Sequence, residues 1–164
     1  MRPVRVFPIV LCLLVMPAVA GAQEPSRRTL EVSGGFTGFF DESIIPHGAV
    51  GAALRWDLAP HLSVGPEVVF MKGEGTDSDL FLTGKLVIDF LRTRPASPYF
   101  VVDGGLEIHH GALVGNAPFW VRAWAFSFGG GVRLNGPSGV FVAPEVRIGW
   151  EPQIRFTLNV GWRM

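Results

Sequence analysis

The stretch Ile154-Arg155-Phe156-Thr157-Leu158-Asn159-Val160-Gly161-Trp162-Arg163 places an apolar side chain at every second position and a polar or small one between. Successive side chains of a strand point to opposite faces, so this beat describes a strand with one greasy and one polar face. The same period runs through Val50 to Leu58, Leu62 to Phe70, Leu82 to Phe90, Phe100 to Ile108, Trp124 to Leu134 and Val140 to Trp150. The polar face carries both signs of charge: Glu31, Arg55, Asp57, Glu67, Lys85, Asp89, Asp103, Glu107, Arg133, Glu145, Arg147, Arg155 and Arg163. The greasy face, with Val50, Leu54, Val64, Leu82, Leu86, Val102, Leu106, Leu158 and Val160, carries almost none. Such a division suits a soluble barrel with its greasy face inside, or an inside-out barrel standing in lipid.

The start of the chain favours the second. Arg2 and Arg5 form a positive segment, Val6 to Ala18 an apolar core, and Ala20-Gly21-Ala22 a small-x-small cleavage site before Gln23. This reads as a secretory signal peptide over 1–22, followed by a single domain over 23–164. Cys12, the only cysteine, lies inside that apolar core after Leu11, where a lipobox needs a small residue, so no lipid anchor is expected. The mature domain then has no disulfide, no thiol chemistry and no cysteine metal site. Without Arg2 and Arg5 the charges are 12 basic against 14 acidic, a net −2. No basic patch points to nucleic acid, and no later run is long enough for a membrane helix.

The pattern predicts eight strands, at 28–40, 47–58, 61–71, 80–91, 98–109, 121–134, 139–150 and 154–163, each near the length a tilted membrane strand requires. Links near Pro60, 93–97 and 135–138 look short. Links 41–46, 72–79 and 110–120 look longer, and 151–153 is short on the long-loop side. This suggests an all-β, eight-stranded, antiparallel up-and-down transmembrane barrel with both chain ends on the short-turn side. Pro66 and Pro144 fall inside strand patterns, in the weak echo Gly65-Pro66-Glu67-Val68 and Ala143-Pro144-Glu145-Val146. Proline cannot donate to a ladder, so each predicts a bulge or a locally open pair. Aromatic residues gather at strand ends, with Trp56, Phe90, Phe100 and Trp162 at one side and Phe39, Phe40, Phe70, Trp120, Trp124 and Trp150 at the other. Two such girdles around an aliphatic band suit a bilayer interface.

The alternating C-terminal strand Ile154 to Trp162, the glycine-rich Gly129-Gly130-Gly131 and the strand start Pro98-Tyr99-Phe100 resemble the small outer-membrane β-barrel family, similar to the membrane domain of outer membrane protein A and to OmpX-type barrels. The resemblance covers the whole expected mature domain and rests on pattern rather than on a catalytic motif. It implies the outer membrane of a Gram-negative cell envelope. The partners it implies are membrane lipids, lipopolysaccharide and, during insertion, the barrel-assembly machinery. The family pattern ends on an aromatic residue, whereas here Met164 is last and Trp162 is the nearest aromatic on that face.

In an eight-stranded barrel the interior is just wide enough for side chains to fill it. The near balance of charges on the polar face therefore predicts a plugged, salt-bridged lumen, since unpaired buried charge is costly. No catalytic constellation stands out: His109-His110 sits above Glu107 and Asp103, and Ser127 is the only serine near mid-barrel, but a His-x-Ser spacing is absent. Adjacent strand residues face opposite ways, so His109 and His110 together do not make a metal site. Gly129 to Gly131 lacks the lysine and helix of a phosphate loop. The reading is a monomeric, non-enzymatic structural or surface-interaction barrel without cofactor or metal. The alternatives are a narrow passive pore, a soluble lipocalin-like carrier, which should have a charged exterior, and a lipid A-modifying enzyme.

Overall fold

The computed structural model describes residues 28–40, 44–92, 94–112, 118–150 and 152–164. The expected signal peptide and the start of the mature domain lie outside them. Eight strands follow in order: β1 (Arg28–Phe40), β2 (Ile44–Ala59), β3 (Leu62–Lys72), β4 (Ser78–Asp89), β5 (Ala96–Ala112), β6 (Pro118–Asn135), β7 (Val140–Gly149) and β8 (Gln153–Arg163). Each pairs antiparallel with its sequence neighbours, and β1 pairs with β8 to close the barrel. Closure leaves no unpaired sheet edge. This is the eight-stranded up-and-down architecture that the period of two predicts, with strand limits shifted by a few residues.

The links differ from expectation. Strands β2, β4, β5 and β6 run further than their apolar beat, so three links at one end shrink to 41–43, 73–77 and 113–117, while the fourth, 150–152, keeps its three residues. The longest link, 90–95, lies at the other end with 60–61 and 136–139. The expected asymmetry of loop length is therefore absent. Strand pairing continues through Ile44-Ile45-Pro46 and His109-His110-Gly111, where the alternation had already faded. Arg28 and Met164 lie together at the end that holds the 90–95 link, joined by backbone hydrogen bonds of 2.8 and 3.1 Å.

Pro66 and Pro144 behave as their chemistry dictates. The register of β3 against β4 is unbroken at Pro66, but against β2 it runs Ala53↔Glu67 and resumes only at Trp56↔Val64. Pro144 does the same: β7 is continuous with β8, while against β6 the pairing stops at Gly131↔Glu145 and resumes at Leu134↔Val142. Each proline leaves its ladder open on the side where its missing N–H would have pointed. Inward-facing glycines supply the tight coiling of so narrow a wall. A Cβ at Gly65 would strike the Leu54 carbonyl, and one at Gly129 the Val146 carbonyl, so only hydrogen fits there.

Burial alternates residue by residue along β3 and β7. Leu30, Val32, Val50, Val68, Leu82, Val146, Leu158 and Val160 face outward and exposed. So do Trp120, Trp124, Trp150 and Trp162. Phe39 does not join them. Its position on β1 shares the inward parity of Thr37 and Glu31, and its ring packs edge-on to His47 at 4.8 Å against buried Met71 and Phe81. Phe126 and Phe128 stand outward in the middle of β6, so the aromatics are not confined to strand ends.

Candidate functional site: the filled lumen

The lumen is layered along the barrel axis. At mid-height, four carboxylates (Glu31, Glu67, Asp103, Glu145) meet four cations (Arg55, Lys85, Arg147, Arg155), all buried. Alternation puts each inside, because each occupies the odd-numbered, inward parity of its strand. Lys85 Nζ lies 2.7 Å from Glu31, 3.0 Å from Glu67 and 3.9 Å from Glu145. Arg147 donates to Glu67 at 2.6 and 2.9 Å, to Asp103 at 2.7 Å and to Glu145 at 2.7 Å. Arg55 binds Glu31 and Ser63, and Arg155 stands 3.6 Å from Asp103. Tyr99 donates to Glu145 at 2.8 Å, and Ser127 donates to Asp103.

Two apolar belts bound this layer. Ala49, Val69, Met71, Phe81 and Ala125 lie on the side of the 73–77 link, and Val87, Tyr99, Val101, Phe141 and Ala143 on the side of the 90–95 link. The belts keep water from the charges, which raises both the strength of each pair and the cost of leaving one unmade.

A second charged layer closes the end near Arg28 and Met164. Asp89 binds Arg133 and lies 3.9 Å from both Arg92 and Arg163; Asp57 accepts from Arg92 at 2.5 Å. Arg133 also stacks 4.9 Å from the Tyr99 ring centre and 4.8 Å from that of Phe141. Arg92 carries no periodic signal, since it sits in a link rather than a strand. Glu107 is buried inward on β5 below His109. Glu31 and Arg163, both on the inward face of the closing strands, do not meet. The register sets Arg163 opposite Thr29 and Glu31 opposite Gly161, and each charge is drawn to partners at its own height.

At the opposite mouth, His109 Nδ1 lies 2.6 Å from Asp79, with His47 and Asp77 beside them. Only His109 of these four was singled out from the sequence. His47 and Asp79 share the inward parity of Arg55 and Lys85 on the same strands, which was the available signal. Ser127 takes Asp103 as its partner in the middle of the barrel, and among the described residues no histidine hydrogen-bonds to a serine.

No family model matches the chain, and no curated protein matches it in sequence. Solved structures do match. Neisserial surface protein A superimposes with a TM-score of 0.69 at 10% identity, over 85% of this chain and 97% of that one. The N-terminal β-barrel domain of Pseudomonas aeruginosa OprF gives 0.63 at 10%, covering 85% and 99%. Ail, the attachment invasion locus protein of Yersinia pestis, gives 0.61 at 9%, covering 85% and 99%. The outer-membrane enzyme PagL also matches, at 0.52 and 14% identity, covering 82% and 98%. With a closed ring of eight antiparallel strands, an apolar exterior and a filled polar interior, the chain has the fold of the small outer-membrane β-barrels.

Proposed function

We propose that this chain is a small integral barrel of the Gram-negative outer membrane, with a plugged lumen and a structural or surface-interaction role rather than an enzymatic one. One observation carries the reading: polarity is inverted relative to a soluble protein. Lys85 and Arg133 are each 1% exposed inside, while Val50 is 60% exposed and Leu158 52% exposed outside. In water such an exterior is a single large apolar surface, far beyond what soluble monomers show. In a bilayer it is the required one, and closure satisfies the backbone there. Lipid acyl chains then contact the aliphatic band, lipopolysaccharide the outer leaflet, and the barrel-assembly machinery the inserting chain. The barrel acts as a monomer.

The balanced central layer supports a plug rather than a selective pore, whose lining carries an excess of one sign. The likeness to PagL leaves the fold compatible with catalysis. The separation of Ser127 from the histidines favours a non-enzymatic role. The experiment is outer-membrane fractionation with heat-modifiable gel migration, followed by conductance in planar bilayers. Membrane-bound, heat-modifiable protein without stable open-channel current is expected. Soluble protein, or steady conductance, sinks the reading.

A further inference from the structure

We infer that the mouth at the 73–77 link is a binding site for one first-row divalent transition ion of the Zn2+ type, held by His47, Asp77 and Asp79 and oriented by His109. The three ligands come from β2, from the link and from β4, and their donor atoms all lie within 4.8 Å of one another. His47 Nε2 is 3.0 Å from Asp77 Oδ2 and 3.5 Å from Asp79 Oδ2. Ligands bound tetrahedrally to zinc at its usual bond lengths stand about 3.3 Å apart, between these two separations.

The second observation concerns His47 itself. The residue is 4% exposed, and its Nε2 is buried without a hydrogen-bond partner despite the two nearby carboxylates. Both carboxylates lie within 3.5 Å of that nitrogen, yet neither makes a hydrogen bond with it. The other nitrogen, Nδ1, faces the Ile45 carbonyl at 3.4 Å. A proton on Nδ1 donated to that carbonyl leaves a lone pair on Nε2, facing two anionic acceptors. In that tautomer a lone pair and two carboxylate oxygens, those of half-buried Asp77 and buried Asp79, converge on one point, a set that a divalent cation satisfies. This is also how metal-ligating histidines are oriented, by a carbonyl or carboxylate on the far nitrogen. His109 plays the matching role for Asp79, at 2.6 Å.

The link is built to hold Asp77 there. Gly73 donates to the Asp77 carbonyl at 3.0 Å, and Lys72 Nζ binds the Gly75 and Asp77 carbonyls at 2.5 and 3.0 Å. Gly75 takes the turn with φ +59°. A Cβ at Gly73 would lie 2.5 Å from His47 Nε2 and 2.9 Å from Asp77 Oδ2, so a glycine is what leaves this space open. An open cleft of about 370 Å³, lined among others by Glu74, Thr76, Asp77, His109 and Phe119, lies beside Asp77 and His109. Imidazole with carboxylates selects Zn2+ and its neighbours over Mg2+ and Ca2+, which take oxygen sets. The bound ion ties the link to β2 and β4 across the mouth.

The test is calorimetric titration of Zn2+ into tag-free protein folded in detergent micelles, with excess Mg2+ present. One ion per chain is expected. His109→Ala should weaken binding about 10–100-fold, the range for residues that orient a ligand. His47→Ala and Asp79→Asn should weaken it at least as much. His61→Ala, at the far end of the barrel, should leave it unchanged. In unsubstituted protein, nitrogen NMR should show one imidazole Nε2 move on adding one equivalent of Zn2+, and this reading decides the matter if a variant fails to fold. Absence of a saturable site, equal affinity in the His47 and Asp79 variants, an unmoved imidazole, or displacement of Zn2+ by Mg2+ overturns the inference.

Discussion

Arg147 on β7 and Glu67 on β3 stand on diametrically opposite strands of the ring, and their side chains join across the lumen through hydrogen bonds of 2.6 and 2.9 Å. Two planar groups meeting edge to edge at the barrel axis fill the cross-section with a directed contact. Breaking one member of such a buried set typically costs about 3–5 kcal/mol, because it strands the other charge. Glu67→Ala should therefore lower the unfolding free energy by about that amount, while Glu67→Leu combined with Arg147→Met should cost less than the sum of the single changes. Denaturant titration in lipid vesicles measures both, and additive losses would show that the contact is not a coupled unit.

Lys85 has three carboxylates within 4.0 Å, and its neighbour Leu86 points the other way. Leu86→Arg should cost about 2–4 kcal/mol if the residue sits at the bilayer midplane. Spin labels at the two positions separate the faces: lipid-soluble oxygen should quench the label at 86 and spare that at 85. Equal quenching removes the lipid-facing assignment.

Closure has a defined register, with Thr29 opposite Arg163. In a Cys12→Ser background, Thr29→Cys with Arg163→Cys should crosslink under mild oxidation faster than Glu31→Cys with Arg163→Cys. The reverse order of rates would mean that β1 and β8 are shifted by two residues.

The open stretches beside the two prolines predict a local signature. Amide hydrogen exchange should be faster at one of Leu54 and Arg55 in β2, and at one of Val132 and Arg133 in β6, the one whose N–H faces the open seam, than at their paired flanks. Uniform protection along β2 and β6 contradicts the gaps.

The parts legible in the sequence are those set by local geometry. The period of two placed Arg55, Lys85, Glu145 and Arg147 on one face, because strand alternation is a property of each segment alone. Which charges meet was less legible. Glu67 and Arg147 are 80 residues apart and touch only because the ring closes with eight strands. Glu67 and Lys85, two strand positions off direct register, do lie 3.0 Å apart, since a long amine reaches the diagonal neighbour. The chemistry of Phe39 at a strand end suggests an outward ring; its parity and the apolar belt beneath the mouth turn it in. The mouth cluster stayed hidden because it draws one residue each from β2, β4, β5 and the 73–77 link, none with motif spacing.

The two proline gaps lie at the β2–β3 and β6–β7 seams, four strands apart in a ring of eight. They divide the wall into two half-shells of four strands, one running from β3 to β6 and the other from β7 through β8 and β1 to β2. Arg147 reaches from the second half-shell to Glu67 and Asp103 in the first, and Lys85 reaches back from the first to Glu31 and Glu145. The barrel is thus two half-shells latched across the lumen: where the ladder is interrupted at the two facing seams, the central charges hold the halves together from within.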